Sequence, residues 1–385
     1  MSFSVTAFDF NPITRVVFDE GLLGRLGEFV LEYAGGRVLL VSDPGVAAAG
    51  HVAVAEQALQ DSGLDVFTFL DVEENPTTTH VAAGTAFARG NDIDFIVGLG
   101  GGSSMDCAKG INFIYTNGGA MEDYWGVGKA KRDMLPMIAI PTTAGTGSEC
   151  QSFALIANKD THQKMACGDK KSACRVALLD PGLTLSQPAG VTIATGLDAI
   201  SHAVETCATT SRNAESTMFS HEAGRHLFRG FPAVLRDRGD LEARAEMQIG
   251  ASLAGAAIEN SMLGAAHACA NPLTARFGVV HGIAVATMLP HVVRFNAAVS
   301  VSEYEQLCEV VGWGKTGAES AGEVLAAGLE QLMTEAGVAR SLKDHGVTSD
   351  AIDTLAEEAA AQWTAGFNPR PVTTDDFREL YQGAM

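Results

Sequence analysis

Apolar positions along this chain change their period about halfway. From about residue 12 to 180, short runs rich in Val, Ile, Leu and Phe recur: ITRVVF, RVLLVSD, DVFTFL, DFIVGLG, MIAIP and RVALLD. Each is five to seven residues long and bounded by Gly, Pro, Asp or Asn, the signature of buried strands. Between them, HVAVAEQALQDSG and THVAAGTAFARG repeat apolar residues at helical spacing. Strands alternating with helices predict βαβ units and an α/β, doubly wound, largely parallel sheet. After LLDPGL the strand pattern stops. Residues 190–385 are rich in Ala, Leu and Glu, with helical stretches such as AESTMFSHEAGRHLF, GEVLAAGLEQLMTEAG and SDAIDTLAEEAAAQW. The predicted architecture is a doubly wound N-terminal domain over 1–183 and an all-α C-terminal domain over 184–385. The boundary falls where Pro181 and Gly182 punctuate the chain.

Four residues of the helical half carry candidate chemistry. Asp198 and His202 are four apart in TGLDAISHAVE, so they share a helix face. His267 in GAAHACANPL and His281 in VVHGIAVATMLPH sit within apolar segments where an unpartnered imidazole is costly. Three imidazoles and one carboxylate suit Fe(II) or Zn(II), not Ca(II) or Mg(II), which take all-oxygen shells. Thr195 offers a competing role for Asp198, as a helix N-cap with Asp198 at its third helical position. Cys269, two residues from His267, points off that face and is not expected to be a ligand.

Two glycine- and hydroxyl-rich segments end strands of the first half. GGGSSMDCAKG follows DFIVGLG, and PTTAGTGSE follows MIAIP. Glycines at a strand-to-helix turn let backbone N–H groups approach a diphosphate at the helix N-terminus. The segment is not a Walker A loop, since Ala108 rather than Gly precedes Lys109, and it does not fit G-x-G-x-x-G. Asp43 ends RVLLVSD. A carboxylate there can bond the adenosine ribose hydroxyls and repel a 2′-phosphate, or can simply open a turn before Pro44 and Gly45.

In order and wording these pieces resemble the iron-containing (group III) alcohol dehydrogenases. VLLVSD, GGGSSMD, PTTAGTGSE, LLDPGLT, TGLDAISHAVE and VHGIAVATMLPHV carry the likeness over most of residues 10–300, and the chain looks most like the lactaldehyde/1,2-propanediol oxidoreductase branch. The resemblance implies Asp198, His202, His267 and His281 as metal ligands for Fe2+, with Zn2+ as the alternative. It implies NAD bound by Asp43, Asn75, Gly101, Gly102, Ser103, Thr142, Thr143 and Lys164, with Asp106 near cofactor or substrate unless it only caps its helix. Lys164 has an alternative as a solvated surface residue. Asn271 stands in HACAN where family members commonly carry a second histidine (HAxAH), and it is a candidate catalytic position that cannot titrate. VHG replaces the usual PHG, read as a local backbone difference. The implied activity is NAD-linked interconversion of a primary alcohol, small or a diol, with its aldehyde. The alternatives are a zinc polyol dehydrogenase of the glycerol dehydrogenase type and a catalytically silent metal- or nucleotide-binding protein.

Composition narrows the partners. With 46 acidic against 26 basic residues and a formal charge of −20, nucleic acid and anionic membranes are disfavoured. MSFSVTAFDF has neither a basic start nor an apolar core, so no secretory signal is expected. Seven scattered cysteines without a CxxC fit reduced thiols in a cytoplasm. The expected partner is a small alcohol or aldehyde, and the family implies a homodimer or larger homo-oligomer. His51, His80, His162, His221, His226 and His345 are read as surface or structural residues, and His291 in LPHVV as a helix position that matches the family but lies outside the ligand set. The neutral imidazole ligands are expected to leave net positive charge at the site.

Overall fold

The computed structural model describes residues 6–161, 163–314 and 320–385. It divides into two compact units, residues 11–187 and residues 188–385, with residues 6–10 grouped with the second.

The first unit is built on nine strands: β1 (Arg15–Phe18), β2 (Arg37–Val41), β3 (Asp65–Phe69), β4 (Phe95–Gly100), β5 (Gly126–Val127), β6 (Met137–Pro141), β7 (Phe153–Ala157), β8 (Lys164–Gly168) and β9 (Val176–Leu179). Six of them form one sheet in the order β1-β9-β6-β4-β2-β3, and every pairing is parallel. All six are the apolar runs read from the sequence. A parallel sheet is covered on both faces, so its strands must be apolar on both. Successive residues indeed divide between two cores. Leu39, Val41, Ile96, Met137 and Ala139 join one apolar cluster. Val38, Leu40, Phe95, Val97, Ile138 and Ile140 join the other.

The remaining strands form a small second sheet, β5-β8-β7, in which β7 and β8 run antiparallel. The sequence pattern gave no notice of it. KMACG has one Gly and no β-branched residue, so its strand form comes from pairing rather than propensity.

The second unit is helical throughout its described residues. Its central element is the helix Ala189–Thr206, which packs against helices Ala214–Arg236, Leu241–Ser261 and His281–Asn296. Gly196 permits this: a Cβ there would lie 2.6 Å from the Phe231 ring. From Gly196 to Thr206 every residue of the helix is buried. A polar side chain on this stretch must therefore find its partner inside the protein.

Candidate metal centre and dinucleotide loops

Asp198, His202 and Glu205 all project from that buried helix, at 5 %, 4 % and 6 % exposure. Thr195 is not its N-cap. The helix begins after Pro188, and the Thr195 hydroxyl donates to the Val191 carbonyl in mid-helix. Asp198, in the third turn, therefore has no capping duty. The Thr-x-x-Asp spacing misled because a polar pair within a long helix looks, in sequence, like one that starts a helix.

The four candidate ligands converge. Nε2 of His202, His267 and His281 lie 3.5, 3.6 and 4.0 Å from Oδ1 of Asp198. Asp198, His267 and His281 each offer a ligand atom within 4.8 Å of the others'. The His202 ring stacks on His267 with centroids 4.9 Å apart. Asp198 Oδ1 and His267 Nε2 are both buried and neither has a hydrogen-bond partner. Two buried acceptor atoms facing each other at 3.6 Å fit a cation between them. The electrostatics agree. Burial favours neutral Asp198, but the surrounding imidazoles outweigh it and hold the carboxyl well below its usual range. Burial likewise opposes charge on His267, yet Glu205 and Asp198 raise its pKa to about 9. The donor set therefore fits a divalent transition metal. The His281 side chain keeps 25 % exposure, which leaves the cluster one open side.

Glu205 was not singled out in the sequence. Its carboxylate accepts from Ala266 N at 2.7 Å and meets His267 Nδ1 at 2.5 Å. The available signal was spacing, because residue 205 lies seven beyond Asp198 and three beyond His202, on the same helix face. Asn271, one turn beyond His267, donates its amide to Gln362 Oε1 at 3.0 Å.

Placement of His281 depends on the glycine after it. A Cβ on Gly282 would stand 2.0 Å from the Ala194 carbonyl oxygen and 3.1 Å from Asp198 Cβ. Val280 precedes the helix with φ −56°, a value proline also holds, so VHG and PHG give the same backbone here.

In the first unit, the loops after β2 and β4 lie side by side, at the point where the strand order reverses and doubly wound sheets bind their ligands. Ser42 Oγ donates to the Leu99 carbonyl, and Ser104 Oγ to Asp43 Oδ2 at 2.9 Å. Asp43 also caps the helix Pro44–Ala48 through Val46 N, so its turn-opening role is real. Its oxygens keep further acceptor capacity for a ribose hydroxyl.

Gly101 precedes the helix Gly102–Asn117, and Gly102 lies against Thr146, where a Cβ would come within 2.7 Å. Thr142 N bonds the Gly100 carbonyl, and Thr143 is the neighbour of Gly101. Asn75, at φ +55°, donates from its backbone to Ser103 Oγ, and Lys164 Nζ reaches Asn75 Oδ1 at 3.5 Å. Asp106 is no cap, since it sits beyond the first turn and accepts from Ser148 Oγ at 2.6 Å. Buried Lys109 donates to the carbonyls of Ser148 and Phe153 and to Ser148 Oγ. Burial raises Glu149 next to this cluster to about 7, with Lys109 pulling the other way.

The remaining histidines have structural partners or none of the site's. His51 meets Ser186, His80 closes a capping box with Thr77, His226 meets Glu246, and His345 meets the Ala339 carbonyl. His221 and His291 are partly buried with lowered pKa, for which burial is the leading cause. His162 lies outside the described residues.

Two family models cover the chain. Iron-containing alcohol dehydrogenase matches residues 13–181, and the C-terminal model of the Fe-containing alcohol dehydrogenase family matches residues 192–385. The chain belongs to the iron-containing alcohol dehydrogenase family. Among curated members of this family, the NAD-dependent methanol dehydrogenase of Bacillus methanolicus is 31 % identical, covering 96 % of this chain and 97 % of that one. The 1,3-propanediol dehydrogenase of Klebsiella pneumoniae is 32 % identical, covering 99 % and 100 %. Of solved structures, the alcohol dehydrogenase from Oenococcus oeni superposes with a TM-score of 0.95 at 30 % identity, covering 98 % of this chain and 100 % of that one. The protein is thus a metal-dependent alcohol dehydrogenase, an oxidoreductase with an α/β part and a helical C-terminal part. None of its described helices is long and apolar enough to cross a membrane.

Gly282→Ala is predicted to disturb the site without touching a ligand. Overpacking against the Ala194 carbonyl should cost about 1–3 kcal/mol and shift His281 off the cluster. Denaturant midpoints and bound metal per chain check this, and wild-type values for both would refute it.

Proposed function

We propose that this dehydrogenase oxidises small primary alcohols or diols to aldehydes, and the reverse, with NAD, using Fe2+ held by Asp198, His202, His267 and His281. The observation that carries the reading is the buried, hydrogen-bond-free pair Asp198 Oδ1 and His267 Nε2, joined by two further imidazoles. Relatives named as methanol dehydrogenase, 1,3-propanediol dehydrogenase and lactaldehyde reductase support the substrate class. They give no support to a zinc polyol dehydrogenase or a silent binding protein.

When bound, the ion supplies Lewis acidity that lowers the pKa of an alcohol hydroxyl and polarises an aldehyde carbonyl. NAD supplies the hydride acceptor at its nicotinamide C4. The chain's own residues bind and orient. The partly open His281 side admits the small substrate. Residues 11–187 are proposed to hold the dinucleotide, residues 188–385 the metal. Backbone N–H groups of Gly101, Gly102 and Ser103, at a helix N-terminus, receive the diphosphate. Asn75, Thr142, Thr143 and Lys164 line that loop. Asp106 serves through Ser148, holding the PTTAGTGSE segment against the glycine loop. Asp43 accepts from the ribose hydroxyls and excludes a 2′-phosphate. Asn271, oriented by Gln362, holds substrate or nicotinamide with an amide and exchanges no proton.

His281→Ala should lose metal and turnover together while NAD binding and the fold of residues 11–187 persist. Metal analysis with NAD titration tests it, and full metal with full turnover would exclude this ligand set. Asp43→Gly should improve NADP relative to NAD by about 1–3 kcal/mol in kcat/KM; equal use of both cofactors by the unaltered enzyme would contradict the role given to Asp43. Asn271→His should add an ionisation near about 6.5 to the pH–rate profile, before environmental shifts. An unchanged profile in a metal-replete Asn271→His protein would show that a titrating group at position 271 does not reach the proton path.

A further inference from the structure

Glu205 touches two things at once, and both belong to the helix that carries His267. Oε1 accepts from the backbone N–H of Ala266 at 2.7 Å, and Oε2 lies 2.5 Å from His267 Nδ1. That helix, Ala265–Phe277, starts at Gly264, which gives it no side-chain cap. Its first N–H groups are served from elsewhere in the chain, Ala265 by Asn368 Oδ1 at 3.3 Å and Ala266 by Glu205. Asn368 is in turn locked by a reciprocal amide pair with Asn296. Gly264 is what allows the approach. A Cβ there would lie 3.1 Å from Glu205 Oε1 and 3.2 Å from Asn368 Oδ1, so a larger residue would press on both caps.

We infer that Glu205 is a positioning residue that fixes the tautomer of His267, keeping the proton on Nδ1 so that Nε2 presents its lone pair to the ion, while the same carboxylate caps the helix bearing His267. The inference rests on the proposed metal centre. An ionised carboxylate has acceptors and no donor. With Glu205 at Nδ1, only the Nδ1–H form of neutral His267 makes that bond, and the lone pair is left on Nε2, facing Asp198 Oδ1 at 3.6 Å. Carboxylates behind ligating imidazoles act in this way at metal sites generally, raising ligand basicity and fixing ring orientation. Here the orienting group and two of the ligands sit on one helix face, so the helix Ala189–Thr206 carries Asp198, His202 and the residue that aims His267.

Glu205→Gln separates the two duties. Its amide oxygen can still accept from Ala266 N, so the cap survives at unchanged side-chain size. Its amide nitrogen then faces Nδ1 as a donor. His267 must accept there and carry its proton on Nε2, where the proton competes with the ion. A purely structural role would be conserved in this variant, and the inferred role would be reversed.

The test is Zn2+ binding by the full-length protein in competition with a chromophoric chelator, for wild type, Glu205→Gln and His281→Ala. Glu205→Gln should bind Zn2+ about 10–100-fold more weakly than wild type, with the unfolding midpoint of the metal-free protein little changed. Wild-type affinity in Glu205→Gln, alongside lost affinity in His281→Ala, would overturn the inference and leave the metal centre standing. No Zn2+ uptake by wild type at these residues would overturn both. Should Glu205→Gln fold poorly, side-chain 15N NMR of the Zn2+-loaded wild-type protein decides. A protonated Nδ1 and a metal-shifted Nε2 on His267 support the inference, and a metal-shifted Nδ1 overturns it.

Discussion

One buried carboxylate oxygen, Asp198 Oδ1, lies under three imidazole Nε2 atoms with no hydrogen bond to satisfy it. Burying that charge costs several kcal/mol unless a cation offsets it. Much of the helical half can be understood as meeting this cost. The helix Ala189–Thr206 is enclosed by its neighbours, which removes solvent screening and leaves the cation as the remaining partner. Gly282 brings the helix of His281 within reach, and Gly264 lets Glu205 and Asn368 serve the helix of His267. The Glu205 carboxylate, behind His267, adds a second acidic group to this cluster.

The α/β half solves a different problem, holding several loops in register. Parallel strands deliver their C-terminal ends to one edge, and short polar links then tie neighbouring loops together. Ser42 with Leu99, Ser104 with Asp43, and Ser148 with both Asp106 and Lys109 are such links. Asp43 shows how a structural role can leave room for a binding one. One oxygen caps Pro44–Ala48, the other steadies the glycine loop, and capacity remains for a ribose.

The fold was legible because the six strands of its main sheet are short apolar runs between turn formers, and because the inner parallel strands must be apolar on both faces. The β7–β8 hairpin was not, since its residues are ordinary and only their pairing makes them strands. The Asp198–His202 pair stood out through its helical spacing, and His267 and His281 through their apolar settings and the family resemblance. What misled was local: Thr195 has a capping residue's chemistry, but the helix had already begun at Ala189. What was missed was indirect: Glu205 does not face Asp198 Oδ1 and contacts residues 61 and 62 positions away. Single-sequence spacing can show that it shares a face with Asp198, not what that face meets.

The central claim is that this buried cluster binds a transition metal through three nitrogens and one oxygen. X-ray absorption at the metal edge of the protein purified without chelator tests it most directly. The account predicts a first shell of light N/O atoms at about 2.0–2.2 Å, with imidazole outer-shell scattering. A sulfur shell near about 2.3 Å, or oxygen scatterers without imidazole, would contradict it.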